Sequence, residues 1–134
     1  MSALHVTIHR LRFNDTDALG HVNNAVFAVM LEQGRSELAV EAGLPVEPGG
    51  FSLVIVRLEL DFVKEMTWPG EVRIETELSR VGGRSFTLRQ QLVSGGQVCA
   101  RAVTVLVVMD RKARKAVPVE PWRASLERWL APEG

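Results

Sequence analysis

Apolar positions recur along this chain at two spacings, and the switches between them outline its elements. Residues 5–13, HVTIHRLRF, alternate, with Val6, Ile8, Arg10 and Arg12 on one side and His5, Thr7, His9, Leu11 and Phe13 on the other. That is a strand with two mixed faces, so its core side stays open. From Asn24 to about Ala42 the spacing lengthens. Phe27, Met30, Leu31, Gly34 and Leu38 fall at i, i+3, i+4, i+7 and i+11, which predicts a helix with one buried stripe. Asn23 or Asn24 is its N-cap, and Gly43 followed by Pro45 is its stop. Gly34 lies inside the helix, where glycine is less favourable than alanine by about 1 kcal/mol. Close packing on a sheet is the expected reason.

After the loop GLPVEPGG (43–50) the period returns to two. FSLVIVRLELDFV (51–63) ends with Leu58, Leu60 and Phe62 opposite Arg57, Glu59 and Asp61. GEVRIETELSRV (70–81) alternates Val72, Ile74, Thr76 and Leu78 against Glu71, Arg73, Glu75 and Glu77. RSFTLRQQLVS (84–94) and QVCARAVTVLVVMD (97–110) follow, joined by the Gly95-Gly96 hairpin signal. PWRASLERWL (121–130) predicts a short terminal helix with Trp122, Leu126, Trp129 and Leu130 on one side. Strand, long helix, then four strands with tight turns means an α+β domain with an antiparallel sheet. One helix covers one sheet face. The other carries enough Val, Leu and Phe to predict contact with another copy, as a homodimer or homotetramer.

Composition narrows the classes. The 134 residues fit a single domain, and 46% apolar with 24% charged residues is ordinary globular usage, which argues against disorder. Sixteen basic and sixteen acidic side chains balance to a net charge of zero. No global field draws the chain to nucleic acid or an anionic membrane, so an anionic ligand would need a local cationic cluster. The single Cys99 excludes an intrachain disulfide framework, and inside a strand it reads as core. MSALHVTIHRLRF has no signal-peptide pattern and no apolar run approaches a membrane span, so the expectation is a soluble cytoplasmic protein without membrane insertion. The histidines and cysteine lack metal-ligand spacing, and no metal or other cofactor is expected.

The densest chemistry is RFNDTDALGHVNNAVF (12–27), where two aspartates, a glycine, a histidine and two asparagines crowd one strand-to-helix junction. Asx-turns and a helix cap would use some of them. Gly20 predicts a positive φ or close approach of a ligand. Glu32 and Arg35, at i and i+3, are spaced to pair on the helix surface, and only a family resemblance adds a place next to a substrate or an interface.

This run, with LEQGRSEL on the helix, VRLELDFVKEMTWPGEVRIETEL, VGGRSFTL, and ARAVTVLVVMD followed by AVPV, resembles the hotdog-fold acyl-CoA thioesterases of the 4-hydroxybenzoyl-CoA thioesterase-like group. The matching segments span positions 10 to 119 in order. The resemblance implies a five-stranded antiparallel sheet wrapped around one long helix. It implies hydrolysis of acyl-CoA thioesters, with coenzyme A as part of the substrate. Asp17, the second aspartate of the D-T-D pair, would be the nucleophile or general base, while Asp15 stays structural. The chemistry agrees, because thioester hydrolysis needs a base or nucleophile and donors for the oxyanion. A helix N-terminus offers unpaired N–H groups, and by position the donor is Asn24 N–H.

His21 is either a carbonyl-polarising group, as in plant acyl-carrier-protein thioesterases that share H-V-N-N, or an orienting one. Those enzymes carry an asparagine where this chain has Leu19. Asn23 ties the loop. The resemblance implies that the turn VGGRSF borders the nucleotide through Arg84 and Ser85, although Gly83 and Arg84 stand one position out from the family's usual G-R-S-S-F. RKARK (111–115) reads as a solvated hairpin tip rather than a phosphate clamp. Glu65 stands where many relatives have proline, a change expected to affect the loop more than the chemistry. Two alternatives share the scaffold: a non-catalytic acyl-ligand binding module, and a hotdog enoyl-CoA hydratase, which would need an Asn-Pro between aspartate and histidine that is absent here.

Overall fold

The computed structural model describes residues 4–45 and 49–132. The loop after the long helix therefore lies partly outside the described residues. The elements are β1 (His5–Arg10), a single 3₁₀ turn (Phe13–Asp15), α1 (Asn24–Glu41), β2 (Phe51–Phe62), β3 (Glu71–Val81), β4 (Ser85–Ser94), β5 (Gln97–Asp110), β6 (Lys115–Val117) and α2 (Glu120–Glu127). The strands form one antiparallel sheet in the order β1-β3-β4-β5-β2, with the short β6 also on β5. β6 pairs residues 108–110 of β5, beyond Val107 where the pairing with β4 ends. The expected five strands are present, and β6 is an addition.

α1 begins where Asn23 accepts the Ala25 N–H at 2.9 Å. It ends in a Schellman motif: Gly43 has φ +73°, its N–H reaches Val40 O, and the Leu44 N–H reaches Ala39 O. Its buried side contains the expected stripe of Phe27, Met30, Leu31, Gly34 and Leu38, and adds Arg35 and Ala39. Gly34 is where helix and sheet come closest. A Cβ there would lie 2.6 Å from Ile74 Cγ2, 2.8 Å from Thr76 Oγ1 and 2.9 Å from Gln90 Nε2. Irregularities at Ile55/Arg57, Leu78/Arg80 and Leu92/Val93 interrupt the ladders. Such bulges bend strands and sharpen their twist, as a sheet curling around a helix requires.

Two clusters make the core. One joins the first half of α1 to Leu11, Val72, Ile74, Leu92 and Ala100, and the other joins its second half to Leu78, Phe86, Leu88, Leu106 and Leu126. Alternation in β3 is as the pattern predicts, with Val72, Ile74, Thr76 and Leu78 all buried.

Three expectations need correction. β1 stops at Arg10, and its inner face carries the histidines: His5 is buried against Trp129, whereas Val6 and Ile8 are exposed. In β2, one of the two edge strands of the sheet with β1, Leu58 and Phe62 are exposed and Leu60 is half-buried. The outer face of β3–β5 is charged, with ion pairs Arg73–Glu75 and Glu77–Arg89. Apolar exposure gathers instead on β2 (Ile55, Val56, Leu58, Phe62), on Val63 just after it, and on the outer side of α1 (Val29, Val40). The terminal helix is shorter than predicted. Leu130 lies beyond it, bridged to Leu78. Among the described residues, no helix is long and apolar enough to cross a membrane.

Candidate active site

The polar run of residues 12–24 folds into a compact loop between β1 and α1, held from below by Asp15. That carboxylate is 1% exposed; Oδ2 accepts the Arg12 N–H at 2.8 Å and faces His9 Nε2 at 2.9 Å, while Oδ1 accepts from the Arg12 guanidinium at 3.1 Å. Burial pushes its pKa up, but hydrogen bonds from the Arg12 backbone, His9 and the Arg12 side chain together outweigh burial and leave it below the usual aspartate value. The Asp15 carbonyl also receives the Asn23 N–H at 2.8 Å, tying the loop's start to the helix cap. Asp15 and Asn23 are thus hydrogen-bonded to each other through their backbones, with the Asp15 carboxylate turned to Arg12 and His9.

Asp17 stands at the rim. Its N–H donates to the His21 carbonyl at 2.7 Å, and its Oδ1 accepts the N–H groups of Leu19 at 2.8 Å and His21 at 3.2 Å. Oδ2 has no hydrogen-bond partner among the described residues, so one carboxylate oxygen is fixed and the other is free on an exposed side chain. Gly20 closes the tight turn with φ +82°, which a Cβ would strain. The second side of the loop leans on the β2–β3 connection, through Val22 N–H to Met66 O and a bridge between His21 and Thr67.

At the helix N-terminus, Asn23 Oδ1 satisfies the Ala25 N–H and Asn23 O receives the Val26 N–H. The Asn24 N–H has no acceptor among the described residues. It is therefore free to donate, at the positive end of an 18-residue helix.

The fold gathers Asp17, Gly20, His21, Asn23 and Asn24 in one loop and helix start. Glu32 is exposed about two turns further along α1. Arg84 and Ser85 are not brought to this loop within one chain. The loop meets the Gly70 end of β3, through Leu11 N–H to Gly70 O, whereas Arg84 and Ser85 follow the Val81 end, about 35 Å away along the strand. There Arg84 donates to Ala116 O at 2.9 Å, and Ser85 O accepts the Gly82 N–H at 2.7 Å. The RKARK segment is the exposed β5–β6 turn, and Cys99 is buried core.

Glu65, marked in the sequence only as a departure within its loop, reaches the site. Glu65 Oε2 lies 3.2 Å from His21 Nε2. The two side chains are 44 positions apart, and no local spacing could have signalled the contact. Among the described residues, no three His, Cys, Asp or Glu side chains are grouped to hold a metal ion.

Known proteins share both the sequence pattern and the fold that carry this loop. The pattern of the thioesterase-like superfamily matches residues 11–130. Protein YsmA of Bacillus subtilis is 27% identical over 108 residues, covering 80% of this chain and 74% of its own. A solved structure described as a predicted thioesterase, from Bacillus stearothermophilus, superposes with TM-score 0.86 at 28% identity, covering 98% of this chain and 99% of its own. A thioesterase of Thermus thermophilus, solved in complex with coenzyme A and zinc, superposes with TM-score 0.77 at 27% identity, over 90% and 95% of the two chains.

Proposed function

Since this chain belongs to the thioesterase-like superfamily, we propose that it hydrolyses acyl-CoA thioesters to coenzyme A and a carboxylic acid, with Asp17 as the acting carboxylate. The observation that carries this reading is a half-engaged carboxylate in the same loop as one unpaired N–H at the first residue of the helix. Asp17 Oδ1 is anchored, Oδ2 is free, and the Asn24 N–H a few residues on is unsatisfied. A thioester carbonyl seated between them would meet a base or nucleophile on one side and an oxyanion donor on the other. Attack by Oδ2 on the carbonyl carbon expels the CoA thiolate and leaves an acyl anhydride that water opens. Deprotonation of a water by Oδ2 reaches the same products without that intermediate. His21, held by Glu65, orients the loop that carries Asp17, and Gly20 and Asn23 fix its turn and its junction with the helix. The coenzyme A complex of the Thermus thermophilus relative supports a CoA ligand here.

Assembly belongs to this reading. β2 is a 12-residue free edge whose exposed side chains include Ile55, Val56, Leu58 and Phe62. An unpaired apolar edge is a template for a second copy. A two-fold axis across it sets β2 antiparallel to its mate and swings the Arg84–Ser85 turn of one copy toward the Asp17 loop of the other. That is how Arg84 and Ser85 would reach the nucleotide, with Glu32 near the seam. The buried, unpaired Cys99 is consistent with work in the cytoplasm. The residues named here supply the whole chemistry, so the reaction should run without a metal.

The test is release of free CoA thiol from a panel of short, long and aromatic acyl-CoAs, with and without chelator. Steady turnover unaffected by chelator supports the proposal. Stoichiometric binding without thiol release would favour the binding-module reading and overturn it.

A further inference from the structure

The second half of α1 and the first residues of β2 enclose, with β3, β4, β5 and α2, a cavity of about 410 Å³. That volume is in the range of small-molecule sites. Its walls are mostly apolar, among them Leu38, Leu44, Leu53, Phe86, Leu106 and Trp129. Neither Asp17, His21 nor Asn24 lines it. The first helix residue on its wall, Glu32, stands about 12 Å along the axis from Asn24. It is a different place from the candidate active site.

One charged group on that wall is buried. Arg35 is 8% exposed, and among the described residues its one hydrogen bond is a long one, 3.4 Å from a guanidinium nitrogen to Gln90 Oε1. Gln90 spends its own amide N–H groups on Leu31 O and Thr76 Oγ1. No described carboxylate reaches ion-pair distance of Arg35. Burial lowers its pKa, and the charge of Glu32 opposes that only in part. Two further charged residues line the cavity, the exposed Glu32 and Arg111, and Arg111 directs one guanidinium nitrogen to Gly49 O at 3.3 Å.

A guanidinium has five N–H donors in a planar fork that fits a carboxylate. Here most of those donors have no partner among the described residues, on a largely buried group beside an apolar wall. A neutral apolar molecule would leave them unpaired, and a small inorganic anion would leave the walls unfilled. We propose that this cavity binds a carboxylic acid with an apolar tail, its carboxylate on Arg35 and its tail among Leu38, Leu53, Phe86 and Trp129. The proposal does not depend on thioester hydrolysis. An aliphatic and an arylalkyl acid share the required chemistry, and the test separates them.

The experiment is calorimetric titration of the intact protein with decanoate, 4-phenylbutyrate, decanol and decyltrimethylammonium. Trp129 fluorescence serves as a second readout, with Trp129→Phe as its control. At least one of the two acids should bind once per chain, about tenfold or more tighter than decanol, as a charge-assisted pair requires, and the cation should not bind. Whichever acid binds more tightly identifies the tail class. Arg35→Met should weaken acid binding about tenfold or more while leaving decanol unchanged, and Ala39→Leu, on the cavity wall, should weaken both. Asp17→Asn should leave acid binding as it was. Equal affinity of wild type for decanoate and decanol, or no acid binding at millimolar concentration, would overturn the proposal even if Arg35→Met fails to fold. So would loss of acid binding in Asp17→Asn, which would move the ligand to the other site.

Discussion

His21 Nε2 lies 3.2 Å from Glu65 Oε2, so the loop that carries Asp17 is fastened to the β2–β3 connection by a side-chain pair as well as by backbone. Glu65 is exposed and His21 half-buried at the surface, and surface pairs are worth about 0–1 kcal/mol. Glu65→Gln should therefore leave the thermal midpoint nearly unchanged and lower kcat by no more than about fivefold. If the glutamate acts only through the imidazole, the loss in a Glu65→Gln, His21→Ala double variant should equal that of His21→Ala alone. Additive losses in kcat would show that Glu65 acts independently of His21.

Asp15 should matter for stability rather than turnover. Its folded pKa is depressed, so its carboxylate contributes stability that is present in full above the ordinary aspartate pKa of about 3.9. That contribution declines as pH falls below this value and is gone once pH drops through the folded pKa. Asp15→Asn leaves the Arg12 and His9 donors facing an amide and should cost about 1–3 kcal/mol at pH 7. Urea unfolding of both proteins from pH 7 to pH 3 should show the gap narrowing in the acid range, with kcat of the folded variant near wild type.

Gly34→Ala sets two effects of opposite sign against each other. Helix propensity favours alanine by about 1 kcal/mol, whereas overpacking costs about 1–3 kcal/mol. The new Cβ would sit within 2.9 Å of atoms of Ile74, Thr76 and Gln90, and Gln90 is held by its own hydrogen bonds. Overpacking should win. Urea denaturation should show a net loss of up to about 2 kcal/mol, and a more stable variant would mean that α1 can move off the sheet.

The free edge of β2 predicts the assembly state. Light scattering at micromolar concentration should give at least twice the chain mass of 14.8 kDa. Leu58→Lys, at an exposed apolar position on that edge, should shift the population toward monomer. A monodisperse wild-type monomer would remove the route by which Arg84 and Ser85 reach the site.

What the sequence revealed and what it hid follow from the range of the interactions. The stripe of α1, its Asn23 cap and Gly43 stop, and the alternation of β3 depend on neighbours within a few residues, and each was readable in the pattern. Within the loop from Asp15 to Asn24, the turn at Asp17 and the cap at Asn23 close on neighbours in the chain, whereas Val22 N–H reaches Met66 O and His21 bridges to Thr67, more than 40 positions away. The Glu65 contact with His21, the inward turn of Arg35 and the exposure of Leu58 and Phe62 are set by elements far apart in the chain. The alternation of β2 looks like a core strand's and says nothing about which strand lies at an edge. His5 on the inner face of β1 likewise depends on Trp129, near the other end of the chain.

The central claim is that Asp17 performs the chemistry. Asp17→Asn keeps the shape of the side chain and an oxygen to accept the Leu19 and His21 N–H groups, so the loop should fold. It removes the carboxylate that would serve as nucleophile or base. On the best acyl-CoA of the panel, kcat should fall by about two orders of magnitude or more, with KM little changed, and His21→Ala should cost less. An Asp17→Asn protein that releases CoA thiol at the wild-type rate would contradict the account.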